Sequence, residues 1–324
     1  MEAEPRNTSQ GLESEIVEGI VVRSTGSWHD VRVDGTIIPA RIPGKFRLAN
    51  KAATNPLAVG DRVSMQLNRD NTGSISVIHP RRNRLSRRAA GRRIGIEHVL
   101  AANLDAAWVI QAVRRPMPNA GFVDRFLVMA EYNHLVAGIV LNKIDLMEPG
   151  DEESLATFSE IYTSIGYTVL RTSAVTGDGL DALRSELTGK TTVMTGPSGA
   201  GKSTLLNALS PGLQLVTGAV SDRTNKGKHT TTFPSLHPLP GGGYVVDTPG
   251  IREYGLYDIE PDDLCHYFPE FEPYLDDCHF PNCTHDHEPS CAVRDAADTE
   301  QIHPSRYLSY LKMLDSLDGE DTGR

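Results

Sequence analysis

The sequence predicts three domains: an N-terminal five-stranded β-barrel, a central α/β domain and a C-terminal α-helical domain. Three observations lead to this prediction. Short segments of alternating apolar and polar residues fill the first quarter of the chain, and strand-like and helical segments then alternate through its middle. All four cysteines lie in the last fifth, among histidines. With 324 residues, 39% of them hydrophobic, the chain is long enough for several packed domains.

The charge is distributed unevenly along the chain. The formal net charge of −10 argues by itself against a nucleic-acid partner. Residues 1–100, however, hold 16 Lys and Arg against 10 Asp and Glu, or +6, and the remaining 224 residues hold 16 against 32, or −16. No apolar run approaches the roughly 20 residues that cross a bilayer, and the N-terminus has no apolar signal core. We therefore expect a cytoplasmic protein that does not enter a membrane.

The first domain is expected over residues 15–80, after a disordered tail at 1–14. Its five strand-like segments are IVEGIVV, WHDVRVD, TIIPARI, DRVSMQL and SISVIHP, separated by Gly, Asn and Asp. Five short strands in about 65 residues suit a small closed barrel, and we interpret it as OB-like. An SH3-like barrel is the alternative. Trp28 is expected to pack in the barrel core, and stacking on a base is its alternative role.

An arginine-rich linker is predicted over residues 81–99. Its RRNRLSRRAAGRR stretch holds seven arginines between Arg81 and Arg93 and no acid. A charge run of this kind is usually a solvated linker, but arginine also pairs with phosphates and stacks on bases. We therefore expect the barrel and this linker to contact RNA.

The central domain is expected over residues 100–256. Its apolar segments are AAWVIQA, LVAGIVL, YTVL, TTVMT and YVVD, and they alternate with the helical segments VDRFLVMAEY, SLATFSEIYTSI, LDALRSEL and KSTLLNAL. This alternation predicts a mostly parallel sheet with helices packed on its faces.

The first motif of this domain is a phosphate-binding loop, GPSGAGKS, between a strand and a helix. In that context glycines let backbone N–H groups surround a phosphate at the helix N-terminus. Lys202 is expected to reach the β- and γ-phosphates, and Ser203 to bind Mg²⁺. The predicted phosphate-binding residues are Gly196, Pro197, Ser198, Gly199, Ala200, Gly201, Lys202, Ser203 and Thr204.

Two further motifs predict which base is bound. NKID at Asn142–Asp145 ends one strand, and TSAVTG at 172–177 follows another. The Asp145 carboxylate can accept hydrogen bonds from N1–H and the 2-amino group of guanine, a donor pair that adenine lacks. Asn142 is expected to bind the purine edge and the stem of Lys143 to pack on the ring. The residues expected to close over the base are Ser173 and Ala174. A P-loop ATPase is the alternative.

The last two nucleotide motifs follow the phosphate-binding loop. DTPG at Asp247–Gly250 fits a switch II element, in which Asp247 holds Mg²⁺ through water and the Gly250 N–H meets the γ-phosphate. The segment NKGKHTTT at 225–232 fits switch I, where Thr231, rather than Thr230, is expected to complete the Mg²⁺ shell. A mobile basic loop is the alternative for this segment.

The order of these motifs predicts a circularly permuted GTPase domain, because NKID and TSAVTG precede the phosphate-binding loop instead of following switch II. Ile251 occupies the position at which many GTPases carry a water-orienting glutamine, so we expect slow intrinsic hydrolysis. His229 is the nearest candidate for positioning the water, and ordering of switch I is its alternative role. The predicted catalytic residues are His229, Lys202 and Thr231.

The C-terminal domain is expected over residues 257–317, before a tail at 318–324. Its CHFPNCTHDHEPSC segment has the composition of a closed structural Zn²⁺ site. The predicted ligands of one Zn²⁺ are Cys278, Cys283, His285 and Cys291. His279 and His287 are the alternatives to His285. A disulfide is not expected because nothing in the sequence suggests export, and Cys265 is expected to be a separate buried thiol.

The barrel, the permuted motif order and the C-terminal Cys/His cluster together resemble the RsgA family, also called YjeQ or YloQ. The resemblance extends from about Ile16 to Leu317 and includes the R-x-N-x-L-x-R pattern of the linker, NLD at Asn103–Asp105 and GKHTTT at 227–232. It implies a GTPase that is stimulated by the small (30S) ribosomal subunit and its rRNA and acts late in subunit maturation. We expect a monomer that uses Mg²⁺ with GTP. The alternative is a nucleotide-gated RNA-binding protein whose hydrolysis is incidental.

Overall fold

The computed structural model describes residues 15–43, 55–88, 97–213, 234–247 and 259–321. The N-terminal domain is a closed barrel. Its strands are β1 (Ile16–Thr25), β2 (Trp28–Val33), β3 (Thr36–Arg41), β4 (Arg62–Leu67) and β5 (Gly73–Ile78). Because β1 pairs with both β2 and β4, and β3 runs parallel to β5, the strands close in the order β1-β2-β3-β5-β4. The predicted five-stranded OB-like barrel is confirmed.

Alternation along the strands determines which side chains fill the barrel. In β2, His29 and Val31 are buried, whereas Trp28 and Arg32 are only partly buried. The buried core of the barrel consists of Val21, Val31, Ala40, Leu57, Val63, Met65 and Ile75. The expectation that Trp28 packs in this core is wrong. Successive side chains of a strand point to opposite faces, so Trp28 lies on the outer face, opposite to the buried His29 and Val31.

Part of the predicted arginine-rich linker is a strand. β6 (Arg84–Arg88) pairs antiparallel with β7 (Glu97–Ala102). Leu85 is 2% exposed and belongs to the same hydrophobic cluster as Val22 of the barrel. The connection between the barrel and the central domain is therefore packed over these residues and is not a free tether.

The central domain contains a six-stranded sheet in the order β10-β9-β8-β11-β13-β12. Its strands are β8 (Ala106–Ala112), β9 (Val136–Asn142), β10 (Thr168–Thr172), β11 (Thr191–Thr195), β12 (Ser235–Pro238) and β13 (Tyr244–Asp247). All neighbours from β10 to β13 are parallel, and only β12 runs antiparallel, so the predicted mostly parallel sheet is confirmed. One antiparallel bridge, Arg23–Ser235, joins β12 to β1, and the barrel thereby covers this edge of the sheet.

Helices cover both faces of the sheet. α1 (Ala120–Tyr132) and α2 (Asp151–Ile165) contribute buried residues to one hydrophobic cluster, and α3 (Leu180–Leu187) and α4 (Lys202–Leu209) contribute to the other. This two-sided cover is what buries a parallel sheet in an α/β domain.

The C-terminal domain is helical, as predicted. It comprises α5 (Glu272–Leu275), α6 (Ala292–Asp298) and α7 (Pro304–Asp321), preceded by 3-10 turns at Pro261–Tyr267 and Pro269–Phe271. Its core is aromatic: the Phe268 and Phe271 rings stack at 5.0 Å between centroids, and Tyr310 meets Phe268 edge-on at 5.3 Å. Among the described helices, none has the length and apolar composition that crossing a membrane requires.

Candidate functional site

Three of the predicted nucleotide motifs meet at one edge of the central sheet. NKID begins at the last residue of β9, TSAVTG at the last residue of β10, and GPSGAGKS directly follows β11. Parallel strands bring their carboxyl ends to the same edge, which is where open α/β sheets bind ligands. Motifs that are far apart in the chain are therefore neighbours in space. We call this place the nucleotide edge.

The phosphate-binding loop has a backbone that requires glycine. Gly199 and Gly201 have φ angles of +86° and +91°, in the region that side chains rarely adopt. A Cβ on Gly196 would lie 2.3 Å from the carbonyl oxygen of Ile110 on β8. A Cβ on Gly201 would lie 2.4 Å from Nδ2 of Asn142. Any larger side chain at these positions would push the loop away from the neighbouring strands.

The loop leads directly into a helix. α4 begins at Lys202, and its first turn contains Ser203 and Thr204. Backbone N–H groups in the first turn of a helix have no partner within the helix and attract anions. Ahead of the helix, the Ala200 N–H donates to the carbonyl of Pro197 at 3.1 Å, which closes a turn in the loop. This arrangement can hold a phosphate group.

Asn142 ties the base-selecting motif to the phosphate-binding loop. Its Nδ2 donates to the carbonyl oxygen of Ala200 at 3.0 Å, and its Oδ1 accepts from Oγ1 of Thr172 at 3.1 Å. The side chain is 1% exposed. Asn142 therefore fixes two motifs relative to each other, and its contact with a purine edge stays a prediction. One Nδ2 hydrogen remains for a ligand.

Lys143 crosses the phosphate-binding loop. It has a φ of +66°, and its Nζ donates to the carbonyl oxygen of Gly199 and, at 2.9 Å, to that of Arg115. Burial lowers the pKa of Lys143. With its ammonium group held by two carbonyls, the aliphatic stem is fixed beside the loop, where the sequence predicts that it packs on a purine ring.

Asp145 is held by the TSAVTG segment. The Ser173 hydroxyl donates to Oδ1 of Asp145 at 2.5 Å, and the Ser173 oxygen accepts from the N–H groups of Val175 at 3.2 Å and Thr176 at 3.1 Å. Ala174 follows Ser173 and packs against the cluster of α3 and α4. The segment is thus folded around Ser173, and it orients the carboxylate that is predicted to read guanine.

The four predicted metal ligands form one cluster in the C-terminal domain. The ligand atoms of Cys278, Cys283, His285 and Cys291 all lie within 4.8 Å of one another. Nδ1 of His285 lies 3.5 Å from Sγ of Cys278 and 3.4 Å from Sγ of Cys291, and these two sulfurs are 4.0 Å apart. Tetrahedral zinc places two sulfurs about 3.8 Å apart and a sulfur about 3.5 Å from a nitrogen. The cluster fits Zn²⁺.

The alternatives to His285 lie outside the cluster. His279 packs edge-on against Phe280 at 4.8 Å, and the side chain of His287 is 80% exposed beside Asp286. Cys265 is also outside the cluster and is buried, as predicted, and burial raises its pKa to about 11.

Neighbouring side chains fix the metal-binding loop. The hydroxyl of Tyr307 donates to the carbonyl of His285 at 2.7 Å, and that of Tyr310 donates to the carbonyl of Thr284 at 2.6 Å. Glu288 accepts from both the N–H and the hydroxyl of Thr284 at 2.7 Å. Burial of Glu288 opposes its ionisation, but these hydrogen bonds lower its pKa to about 2. Hydrogen bonds with Tyr307, Tyr310 and Glu288 therefore hold the loop in addition to the four predicted metal ligands.

A buried ionic triad joins the central and C-terminal domains. The guanidinium of Arg306 on α7 donates to Asp124 of α1 and to Glu270, each at 2.6 Å. The side chains of Arg306 and Asp124 are both 0% exposed. Burial opposes the charge on Arg306, but the two carboxylates raise its pKa well above the ordinary value. No motif in the sequence pointed to this contact.

Arg81 and Arg82, two arginines in the described part of the arginine-rich stretch, are paired with acids. Arg81 makes a two-point contact with Asp61, at 2.7 Å through both Nε and Nη2, and Asp61 is fully buried. Arg82 donates to Asp105 at 2.7 Å. Asp105 also accepts from the N–H of Thr191 at 2.8 Å, at the start of β11. The fold thus brings acids from distant positions to a stretch that contains none, and these two arginines connect the stretch to both neighbouring domains.

Comparison with protein families identifies the chain. A model of the RsgA GTPase matches residues 78–257, and a model of the RsgA N-terminal domain matches residues 18–75. The chain belongs to the RsgA family. It is therefore a member of a family of GTP-hydrolysing enzymes. Its central domain is circularly permuted, since β9 and β10, which carry NKID and TSAVTG, precede the phosphate-binding loop in the chain.

Named RsgA proteins resemble the chain over nearly its whole length. The small ribosomal subunit biogenesis GTPase RsgA of Bacteroides fragilis is 45% identical over 92% of this chain and 96% of its own. The protein of the same name from Gemmatimonas aurantiaca is 47% identical over 93% and 97%. The crystal structure of YjeQ from Thermotoga maritima, at 36% identity, superposes with a TM-score of 0.78 over 96% of this chain and 100% of that one.

Several predicted residues of the RsgA nucleotide site lie outside the described residues. They are His229, Thr230, Thr231, Gly250 and Ile251, and the side chain of Asp247 at the end of β13 also belongs to this group. Arg92 and Arg93 of the arginine-rich stretch lie outside as well. The assignments made for these residues remain predictions.

One residue of the RsgA nucleotide edge was not predicted. Thr172 is 0% exposed and donates to Asn142, so it holds the residue that bridges two motifs. It immediately precedes Ser173 in TSAVTG. The sequence does place Thr172 at the end of a strand, directly before the predicted base-binding residue Ser173, and this position could have indicated its role.

Proposed function

We propose that the protein binds GTP at the nucleotide edge, hydrolyses it, and acts in the biogenesis of the small ribosomal subunit. The observation that carries the GTP assignment is the junction of three motifs, in which Asn142 bonds to the phosphate-binding loop and Ser173 bonds to Asp145. The relatives named small ribosomal subunit biogenesis GTPase support the ribosomal role.

Each residue at the nucleotide edge has a proposed role. Asp145 accepts from N1–H and the 2-amino group of guanine, and adenine would leave this carboxylate unpaired. The Lys143 stem packs on the purine ring, and Asn142 uses its remaining Nδ2 hydrogen on the purine edge. The N–H groups of residues 196–204 and the Lys202 ammonium hold the phosphates. Ser203 and Thr231, with Asp247 through water, would hold Mg²⁺, which would neutralise phosphate charge.

Hydrolysis is proposed to be slow in the isolated protein. Ile251 follows the switch II glycine and has no group that orients water. We propose that His229 performs this task once the small subunit is bound, with its neutral imidazole accepting a hydrogen bond from the water. Lys202 and Thr231 complete the proposed catalytic set.

The Cys/His cluster is proposed to hold one structural Zn²⁺. Cys278, Cys283, His285 and Cys291 would supply four protein ligands, which leaves no open position for a substrate. Burial raises the pKa of Cys283 to about 12, and a bound cation would favour its thiolate. The metal would fix the loop ahead of α6.

The protein is proposed to work as a cytoplasmic monomer. Its proposed partners are GTP, GDP and rRNA.

The test is the rate of GTP hydrolysis with and without purified small ribosomal subunits. We expect a slow basal rate and strong stimulation by subunits, but weak stimulation by the same mass of bulk RNA. Equal stimulation by both would instead favour a nucleotide-gated RNA-binding protein with incidental hydrolysis. Absence of any stimulation would contradict the proposed ribosomal role.

A further inference from the structure

The outer face of β1, β2 and β3 carries a tryptophan among arginines. His29 pairs with Ala40 across β2 and β3, so the next position in register places Trp28 beside Arg41. Neither residue belongs to the barrel core. We call this surface the Trp28 face, and its members are Arg23, Trp28, Asp30, Arg32, Ile37 and Arg41.

Arginines on this face are stacked on aromatic rings. The guanidinium carbon of Arg41 lies 3.9 Å from the centroid of the Trp28 ring, and that of Arg32 lies 5.9 Å from the Tyr244 ring. Trp28 is partly buried, whereas Arg41 is exposed. A guanidinium that lies over an indole is restricted in its rotamers, and its own plane can receive a further ring.

The charge of the Trp28 face is positive. β1, β2 and β3 together contain three arginines, Arg23, Arg32 and Arg41, and two acids, Glu18 and Asp30. Ile37 adds an apolar side chain that is 48% exposed. Arg81 and Arg82 of the arginine-rich stretch, in contrast, are paired with carboxylates. The face therefore combines planar stacking groups with cations, which is the combination that binds unpaired nucleotides.

We infer that the Trp28 face binds a single-stranded or looped segment of RNA, with one unpaired base stacked on the Trp28–Arg41 pair. The adjoining phosphates lie at Arg23 and Arg32. A base in a duplex is already stacked on its neighbours and cannot join this pair. The inference rests on the proposed function, which supplies an RNA partner, and adds to it the residues and the mode of contact.

Binding of a short oligouridine to the full chain tests the stacking. Trp28→Ala removes the ring on which the Arg41 guanidinium rests, so the stack with the base is expected to be lost and binding to weaken by about tenfold. Trp28→Phe keeps an aromatic ring and is expected to retain most of the affinity. Lys312→Ala, which removes one exposed charge on α7, is the matched control and is expected to bind normally. Equal binding by Trp28→Ala and the unaltered chain would overturn the inference.

Tryptophan emission reports the contact directly. The chain has two tryptophans, and Trp108 is 1% exposed in the central sheet. RNA that covers the partly buried Trp28 is expected to change the emission, and the change is expected to vanish in Trp28→Phe although RNA still binds. An unaltered emission change in Trp28→Phe would contradict the stacking position.

The salt dependence of RNA binding distinguishes the stacking contact from the phosphate contacts. Arg23→Gln is expected to reduce the slope of log affinity against log salt concentration by about 0.7, the value for one phosphate contact on a single strand. Trp28→Ala is expected to lower affinity at every salt concentration and leave the slope unchanged. A changed slope in Trp28→Ala together with an unchanged one in Arg23→Gln would overturn the assignment.

The failure of this inference can be told apart from failure of the proposed function. If small subunits stimulate hydrolysis by the unaltered chain and by Trp28→Ala at the same concentrations, the inference is wrong and the proposed function stands. If the chain binds small subunits but no single-stranded RNA, the inference is overturned and the proposed function stands. If subunits fail to stimulate hydrolysis by the unaltered chain, the proposed function is wrong, whether or not the chain binds oligouridine.

Discussion

The nucleotide edge and the Trp28 face are built in different ways. The edge consists of contiguous motifs at strand ends, and hydrogen bonds such as Asn142 to Ala200 and Ser173 to Asp145 connect them. The face consists of single residues that alternate along three neighbouring strands, with no motif at all. A site made of loops at strand ends is visible in the sequence, whereas a site on a sheet surface depends on register between strands.

The largest expected effect is loss of zinc from a third region, the Cys/His cluster, which lies apart from the nucleotide edge and the Trp28 face. Cys283→Ser removes one of four clustered ligands, so metal analysis of the purified protein is expected to show complete loss of bound zinc. Cys265→Ala, which alters the buried thiol outside the cluster, is the matched control and is expected to keep one zinc per chain. GTP binding in isolation is expected to persist in both. Retention of zinc by Cys283→Ser would contradict the assigned ligands.

The next effect separates the arginine-rich stretch from the Trp28 face. Arg81→Gln leaves the fully buried Asp61 carboxylate without its partner, which is expected to lower the free energy of unfolding by about 3 kcal/mol. The measurement is urea denaturation. Arg23→Gln on the exposed face is the control and is expected to change stability by less than about 0.5 kcal/mol. If Arg81→Gln left stability unchanged and weakened RNA binding instead, the distinction between the two groups of arginines would be wrong.

A substitution at the nucleotide edge is expected to change base preference. Asn in place of Asp145 cannot accept from both N1–H and the 2-amino group, so affinity for GTP is expected to fall by about a hundredfold or more. Its amide can donate to the 2-carbonyl of xanthine, so xanthosine triphosphate is expected to bind better than to the unaltered chain. Equilibrium binding measures both.

Asp178→Asn, an exposed change in the same loop region, is the control for Asp145→Asn and is expected to leave the preference for GTP intact. RNA binding at the Trp28 face is expected to be normal in both variants. An unchanged nucleotide preference in Asp145→Asn would point to an ATPase and would break the assignment of this edge.

The smallest effect tests the residue that was not predicted. Thr172→Val removes the hydrogen bond to Asn142 and keeps the shape of the side chain, and a buried hydrogen bond contributes about 1 kcal/mol. GTP affinity is therefore expected to fall about five- to tenfold, as measured by nucleotide titration. Thr168→Val, at the exposed start of the same strand, is expected to bind GTP normally. Equal affinities in the two variants would remove Thr172 from the site.

The amount that could be predicted differs between levels of structure. Period-two and helical patterns located the barrel strands and the helices of the central domain, because burial dictates those patterns directly. The positions of Asn142, Ser173 and the phosphate-binding loop at strand ends also predicted the nucleotide edge, because the carboxyl ends of parallel strands lie at one edge of a sheet. Trp28 was misplaced because hydrophobicity alone does not reveal which face of a strand is buried.

Contacts between distant segments were beyond prediction from one sequence. Arg81 and Arg82 lie in a stretch without acids, and only the fold brings Asp61 and Asp105 to them. The triad of Arg306 with Asp124 and Glu270 spans two domains in the same way. Pairing of this kind depends on tertiary packing, and local charge density in the sequence overstated how many arginines are available to RNA.

The most direct test measures GTP hydrolysis against the concentration of purified small subunits. For the unaltered chain, turnover is expected to rise to a plateau. Trp28→Ala is expected to reach the same plateau at about tenfold higher subunit concentration, because its nucleotide edge is intact and its RNA contact is weakened. A flat response of the unaltered chain, or a lowered plateau in Trp28→Ala at saturating subunits, would contradict the account of two separable sites.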